Sequence, residues 1–110
     1  MRKAIQAKND GFRKAVFLAP QPDGKAVMTP GIANLGSMAQ ALIYREVANF
    51  NTFTEANDPY GEHDFGGITL DNLPKVFWKI DYYADETLQH GAEDRLNCYR
   101  VLVIMLAEEY

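Results

Sequence analysis

Residues 75–83 read Lys75-Val76-Phe77-Trp78-Lys79-Ile80-Asp81-Tyr82-Tyr83. Val76, Trp78, Ile80 and Tyr82 alternate with Lys75, Phe77, Lys79 and Asp81, the period of a half-buried strand. Asp71-Asn72-Leu73-Pro74 just before it has turn composition. Glu62–Leu70 reads as a second strand, where Gly66-Gly67 signals a bulge or a close backbone approach. The two runs are therefore expected to form an antiparallel hairpin.

Tyr99–Leu106 fits either a strand or a buried helix running from Glu93 by period alone, and Val101, Val103 and Ile104 favour the strand. Lys25–Thr29 is a further expected strand, ended by Pro30 and Gly31. Residues 2–17 read as an amphipathic helix with Ile5, Phe12 and Val16 on one face and Arg and Lys on the other. Gly11 weakens that helix by about 1 kcal/mol. A second helix follows from Leu35, Met38, Ala39, Leu42, Ile43, Val47 and Phe50, one broad apolar face. Ser37 and Gln40 fit a capping box at its start, Asn34 is an alternative start, and Asn49 and Asn51 suit its exit. Residues 51–61 and 84–97 are loops by composition, the latter with room for local helix. The order α-β-α-β-β-β predicts one α+β domain over residues 1–110, two helices packed on an antiparallel sheet of about four strands.

The 110 residues carry 11 Lys+Arg against 15 Asp+Glu, a net charge of −4 that argues against a general nucleic-acid binder. The charge is polarised. Residues 1–25 hold six basic against two acidic side chains, and residues 55–94 hold ten acidic against two basic. The acidic segment is either a solvated surface or a docking face for a cationic protein. Nucleic-acid contact through Arg2, Lys3, Lys8, Arg13 and Lys14 is the least favoured reading. No apolar run approaches the ~18 residues of a membrane span. Met1-Arg2-Lys3 resembles the charged start of a leader, but Gln6, Lys8, Asn9 and Asp10 follow instead of an apolar stretch. That and the single Cys98 lead to an expected cytoplasmic setting.

Most of the aromatic residues between Tyr44 and Tyr83 are expected in the core. The most unusual stretch is Asn57-Asp58-Pro59-Tyr60-Gly61-Glu62-His63-Asp64-Phe65-Gly66, three carboxylates and an imidazole within seven residues. Strand geometry would put Glu62 and Asp64 on one face and His63 on the other. His63 would then hold a metal with Asp81 of the neighbouring strand or with His90, or form an acid–base pair with Asp81 or Glu62. His63, Glu62 and Asp81 are the catalytic candidates, and Asp58, Tyr60, Glu62, Asp64, Trp78 and His90 the binding candidates. His63 and His90 are the only histidines and lack a ligand spacing, so no metal is expected. No nucleophile elbow, phosphate loop or dinucleotide fingerprint is present, so no cofactor is expected either. In the structural alternative Asp58 starts a turn ahead of Pro59, His63 is a hydrogen-bonded sheet residue and Cys98 an inert thiol.

The chain resembles the bacterial domain-of-unknown-function family 3768, small proteins common in alphaproteobacteria and their plasmids. The resemblance is carried by Asn9-Asp10-Gly11-Phe12-Arg13, Val27–Ile32, residues 57–66, residues 76–83, His90-Gly91 and residues 100–110. Ala92–Leu96 and Val103 depart from the family pattern. The resemblance implies a fold unit and a mobile-element setting, and no reaction. It implies that Asp58, Glu62, His63, Asp64, Trp78, Asp81 and His90 lie in characteristic motifs. The leading expectation is a non-enzymatic accessory domain acting by protein contacts through its acidic face, with a homodimer through an uncovered sheet edge as a further mode. The alternative is a metal-dependent or acid–base hydrolase centred on His63 with Glu62, Asp64, Asp81 and His90.

Overall fold

The computed structural model describes residues 2–110. The elements run α1 (Arg2–Ala15), β1 (Gly24–Met28), α2 (Pro30–Ala33), α3 (Ser37–Ala48), β2 (Phe65–Ile68), β3 (Val76–Tyr83) and β4 (Tyr99–Leu106). A 3-10 turn over Ala107–Glu109 ends the chain. The hairpin is present, with Gly66 opposite Trp78 and Ile68 opposite Val76. Burial along β3 alternates as its sequence dictates, with Val76, Trp78 and Ile80 in the core. Gly66-Gly67 is a close approach within a regular ladder. A Cβ at Gly66 would lie 2.5 Å from Trp78 Nε1.

The sheet is four-stranded in the order β1-β4-β3-β2, and the fold is α+β. It is mixed where an antiparallel sheet was expected, because β1 pairs with β4 in parallel. The first strand thus lies beside the last, and the intervening chain returns through helices packed over one face. Phe12, Ile32, Ile43 and Val47 of the helices share one core with Ile68, Val76, Trp78, Ile80, Leu102, Ile104 and Leu106 of the sheet. Residues 99–106 form the strand, and 84–98 forms no helix.

Three helices replace the expected two. Pro30 begins α2 at its first helical position after the extended Thr29, where a fixed φ and a missing N–H carry no penalty. The Ser37 capping box is not formed. Gly36, at φ 91°, is the residue before α3 and its carbonyl accepts the Gln40 N–H, while the Gln40 side chain donates back to Ala33. Asn34 closes α2 instead of opening α3, and Asn49 closes α3 as expected. The broad apolar face of α3 is only partly used, for Met38 is 84% and Leu42 42% exposed. In α1, Arg13 and Asn9 are buried beside Ile5 and Phe12, against the expectation of a solvated basic face. Among the described residues no helix is long and apolar enough to cross a membrane.

Candidate functional site

The 57–66 loop is irregular through His63, and β2 begins only at Phe65. The expected opposition of His63 to its two acidic neighbours across a strand is therefore not formed. The cause is local. Asp58 is buried and its carboxylate accepts the backbone N–H groups of Glu62 at 3.0 Å and His63 at 3.2 Å. Closing that turn puts Gly61 at φ 65° and His63 at φ 59°. Left-handed backbone is uncommon for a residue with a Cβ, and it persists where surroundings enforce it.

Those surroundings are α1 and Phe53. Gln6 donates to the Gly61 carbonyl, and Asn9 Nδ2 to the Glu62 carbonyl at 2.9 Å. His63 Nδ1 lies 3.1 Å from both carboxylate oxygens of Asp10. Its Nε2 is 3.8 Å from Asp58 Oδ2. The imidazole stacks flat on Phe53, with ring centroids 3.8 Å apart. Asp10 also pairs with Arg13, whose guanidinium donates to the Val47 and Phe50 carbonyls at the end of α3. The same guanidinium lies 4.8 Å from the Trp78 ring and 5.5 Å from Phe53. Burial lowers the Arg13 pKa, and Asp10 opposes that effect. A recess of about 200 Å³ opens here, lined by Lys14, Asn49 and Asn51 as well as Asp10, Arg13 and His63.

A second polar network locks the other side of the loop. Asn9 Nδ2 also donates to the Tyr82 hydroxyl at 2.8 Å, and Tyr82 donates to Asp64 at 2.9 Å. The buried Arg100 donates to Asn9 Oδ1 at 2.7 Å. Burial is the main cause that raises the Tyr82 pKa, with Asp64 adding to it. Glu62 is paired with Arg95 across the surface.

The structure does not bring the expected catalytic set together. Asp81 pairs with Lys79 at 3.2 Å, and the partner of His63 is Asp10 of α1. His90 lies exposed in the β3–β4 loop, where its carbonyl accepts the Ala84 N–H. Trp78 has no exposed surface and belongs to the core. Tyr60 is 74% exposed, on a groove shared with Arg2, Glu62 and Arg95. Among the described residues no group of three His, Cys, Asp or Glu side chains could hold a metal ion. Burial raises the Cys98 pKa, the reverse of an activated thiol. Sequence reading did not place Asn9, Asp10, Asn49 or Asn51 at a site, and it named Arg13 and Lys14 only for a nucleic-acid contact. One signal was available: Gln6, Asn9, Asp10 and Arg13 recur at three- and four-residue steps, a polar stripe beside the apolar one.

A second cluster lies at the end of the sheet. Asp23, Asp85 and Glu86 surround a groove of about 360 Å³ with Asn97, Cys98 and Tyr99. Asp85 and Glu86 are exposed, as are Glu93 and Asp94 of the same 84–98 loop. Hydrogen bonds from the Thr87 side chain and backbone hold the Asp85 pKa below its ordinary value. Those from Asn97 and Leu96 do the same for Asp94. Both stay ionised at neutral pH.

The fold and these two clusters define a small α+β protein with a tightly cross-linked motif loop and an acidic rim. The family model described as protein of unknown function, DUF3768, matches residues 28–109, and the chain belongs to that family. The matched span includes His63 and excludes its partner Asp10. No curated protein and no solved structure matches the chain.

Proposed function

We propose that this protein is a non-catalytic binding module that receives a basic segment of a partner protein at its acidic rim. The observation that carries the reading is a groove whose lining includes Asp23, Asp85 and Glu86 together with Tyr99. A lysine or arginine side chain fits such a place, with carboxylates for its charge and an aromatic edge for its stem. The carboxylates of the motif loop support the same reading by being engaged elsewhere: Asp58 by backbone, Glu62 by Arg95 and Asp64 by Tyr82. The reading extends to a bacterial, cytoplasmic accessory protein of mobile-element origin, for which family resemblance is the support. Titration of a fluorescent Lys/Arg-rich peptide, followed by anisotropy at low and high salt, tests the binding. Salt-sensitive binding that D85K/E86K abolishes is expected. Absence of binding by the native chain at low salt overturns it.

The second reading is an acid–base hydrolase at His63, with Asp10 in the orienting place expected of Asp81. It is favoured by the left-handed His63 backbone and by the recess beside its ring. Turnover of ester or phosphoester substrates that His63→Gln removes, with the fold retained, is its test.

A further inference from the structure

We propose that two copies of this chain associate through the sheet face opposite the helices. The helices bury their apolar residues against alternate strand positions only, those of Ile68, Val76, Trp78, Ile80, Leu102, Ile104 and Leu106. The intervening positions point the other way. There Lys25 and Val27 of β1 lie beside Val101 and Val103 of β4, which lie beside Asp81 and Lys79 of β3. Met105 lies beside Phe77, and Tyr110 packs edge-on against Phe77 and Phe65 at the end of this face. A run of Val27, Val103, Phe77 and Phe65 on a face without a helix over it is unusual for a sheet left in water, where polar residues should alternate with the core set.

The occupant follows from the order of charges. Lys25, Val101 and Asp81 form one row across three strands, β1-β4-β3. Neighbouring strands are spaced about 4.8 Å apart, so Lys25 and Asp81 flank β4 at equal distances with opposite charge. A two-fold axis running along β4, between two stacked sheets, lays β1 of each copy over β3 of the other. Lys25 of one copy then meets Asp81 of the other, twice by symmetry. Val103, the partly exposed residue of β4 on this face, meets its own counterpart on the axis. Facing sheets sit about 10 Å apart, a gap that a lysine and an aspartate side chain bridge together. Lys79 engages Asp81 through Oδ2, which leaves Oδ1 for the second lysine. Val101 and Met105 are only 4% exposed already, so the surface newly covered belongs to Val27, Val103, Phe77 and the lysine stems. A basic partner has no comparable fit here, because the side chains on this face include Lys25, Lys75 and Lys79 against Asp81.

Sedimentation velocity on the full chain tests the proposal through its charges. The native chain is expected to dimerise with rising concentration. K25E and D81K are each expected to weaken the dimer about tenfold or more, since each faces like charges across both contacts. An equimolar mixture of K25E and D81K is expected to regain association. In the mixed dimer the two reversed side chains meet across one contact and the native Lys25 and Asp81 across the other, so both contacts pair opposite charges. A native chain that stays monomeric at millimolar concentration overturns the proposal, as does a mixture no stronger than its components. Association that survives both single reversals also overturns it and points instead to pairing of the open β1 edge. Circular dichroism of each variant establishes that the fold is retained.

Discussion

The two acidic loops of this protein differ in what folding does with their charge. In residues 57–66, Asp58 closes a turn, Glu62 meets Arg95 and Asp64 accepts from Tyr82. In residues 84–98, Asp85, Glu86, Glu93 and Asp94 are all exposed. Asp85 and Asp94 bond only to donors two or three residues further along the chain. A charge count along the sequence merges the two loops, whereas the structure divides them into a fastening and a rim. Substitutions in the fastening should therefore act on stability, and substitutions in the rim on binding.

The largest effect is expected at Arg13. It is 1% exposed, pairs with Asp10, takes two carbonyls at the end of α3 and lies against Trp78 and Phe53. Arg13→Ala would leave a cavity and orphan those carbonyls, at a cost of about 3–5 kcal/mol. Urea denaturation measures it. A loss below about 1 kcal/mol would show that α1 is not fastened through this residue. Asp58→Ala comes next. It strands two backbone N–H groups in a buried turn, and a loss of about 2 kcal/mol is expected. The same variant should release His63 from its left-handed backbone, visible as a shift of its ring resonances away from the Phe53-stacked position.

β3 was legible because its apolar residues alternate with period two, which follows directly from strand geometry, whereas the last strand was read from the β-branched Val101, Val103 and Ile104 where period alone left a helix open. The parallel pairing of β1 with β4 was not legible, since a five-residue strand exposed at four of its positions carries no mark of its neighbour. The α3 helix was legible in extent, but its wide apolar face overstated burial at Met38 and Leu42. Local pattern records the capacity to be buried, and packing decides which part is used. The site was half legible. Composition singled out His63 and Asp58, yet the partner of His63 stands 53 residues away on a helix that reads as basic and solvated. Asn9 and Arg13 are polar residues in the core, where the rule of apolar inside and polar outside fails. Their partners are fixed by the tertiary fold alone.

Tyr82 gives a smaller, pH-dependent handle on the fastening. Its folded pKa is raised, by burial first and by Asp64 second, above the ordinary value of 10.0. A raised value means that the folded state keeps its proton where the unfolded state loses it. Its contribution is therefore fully present below pH 10 and falls away as pH rises beyond it. Ionised Tyr82 could no longer donate to Asp64 and would set a third negative charge beside Asp64 and Glu62. Denaturation midpoints between neutral and strongly alkaline pH should decline less steeply in Tyr82→Phe than in the native chain. Equal slopes would remove Tyr82 from the account.

The rim should give the smallest stability change and the clearest separation of the two loops. D85N/E86Q removes two exposed charges, and its melting temperature at neutral pH should match that of the native chain. The depressed Asp85 pKa has its own sign: whatever stability it lends is present above the ordinary aspartate range and is lost as pH falls through the folded value. Its bonds to Thr87 stay within one exposed turn, so salt and water screen that contribution. Binding of a basic peptide, by contrast, should weaken in D85N/E86Q and remain intact in Asp58→Ala under conditions where that variant is folded. If Asp58→Ala lost the peptide and D85N/E86Q kept it, the assignments of fastening and rim would have to be exchanged.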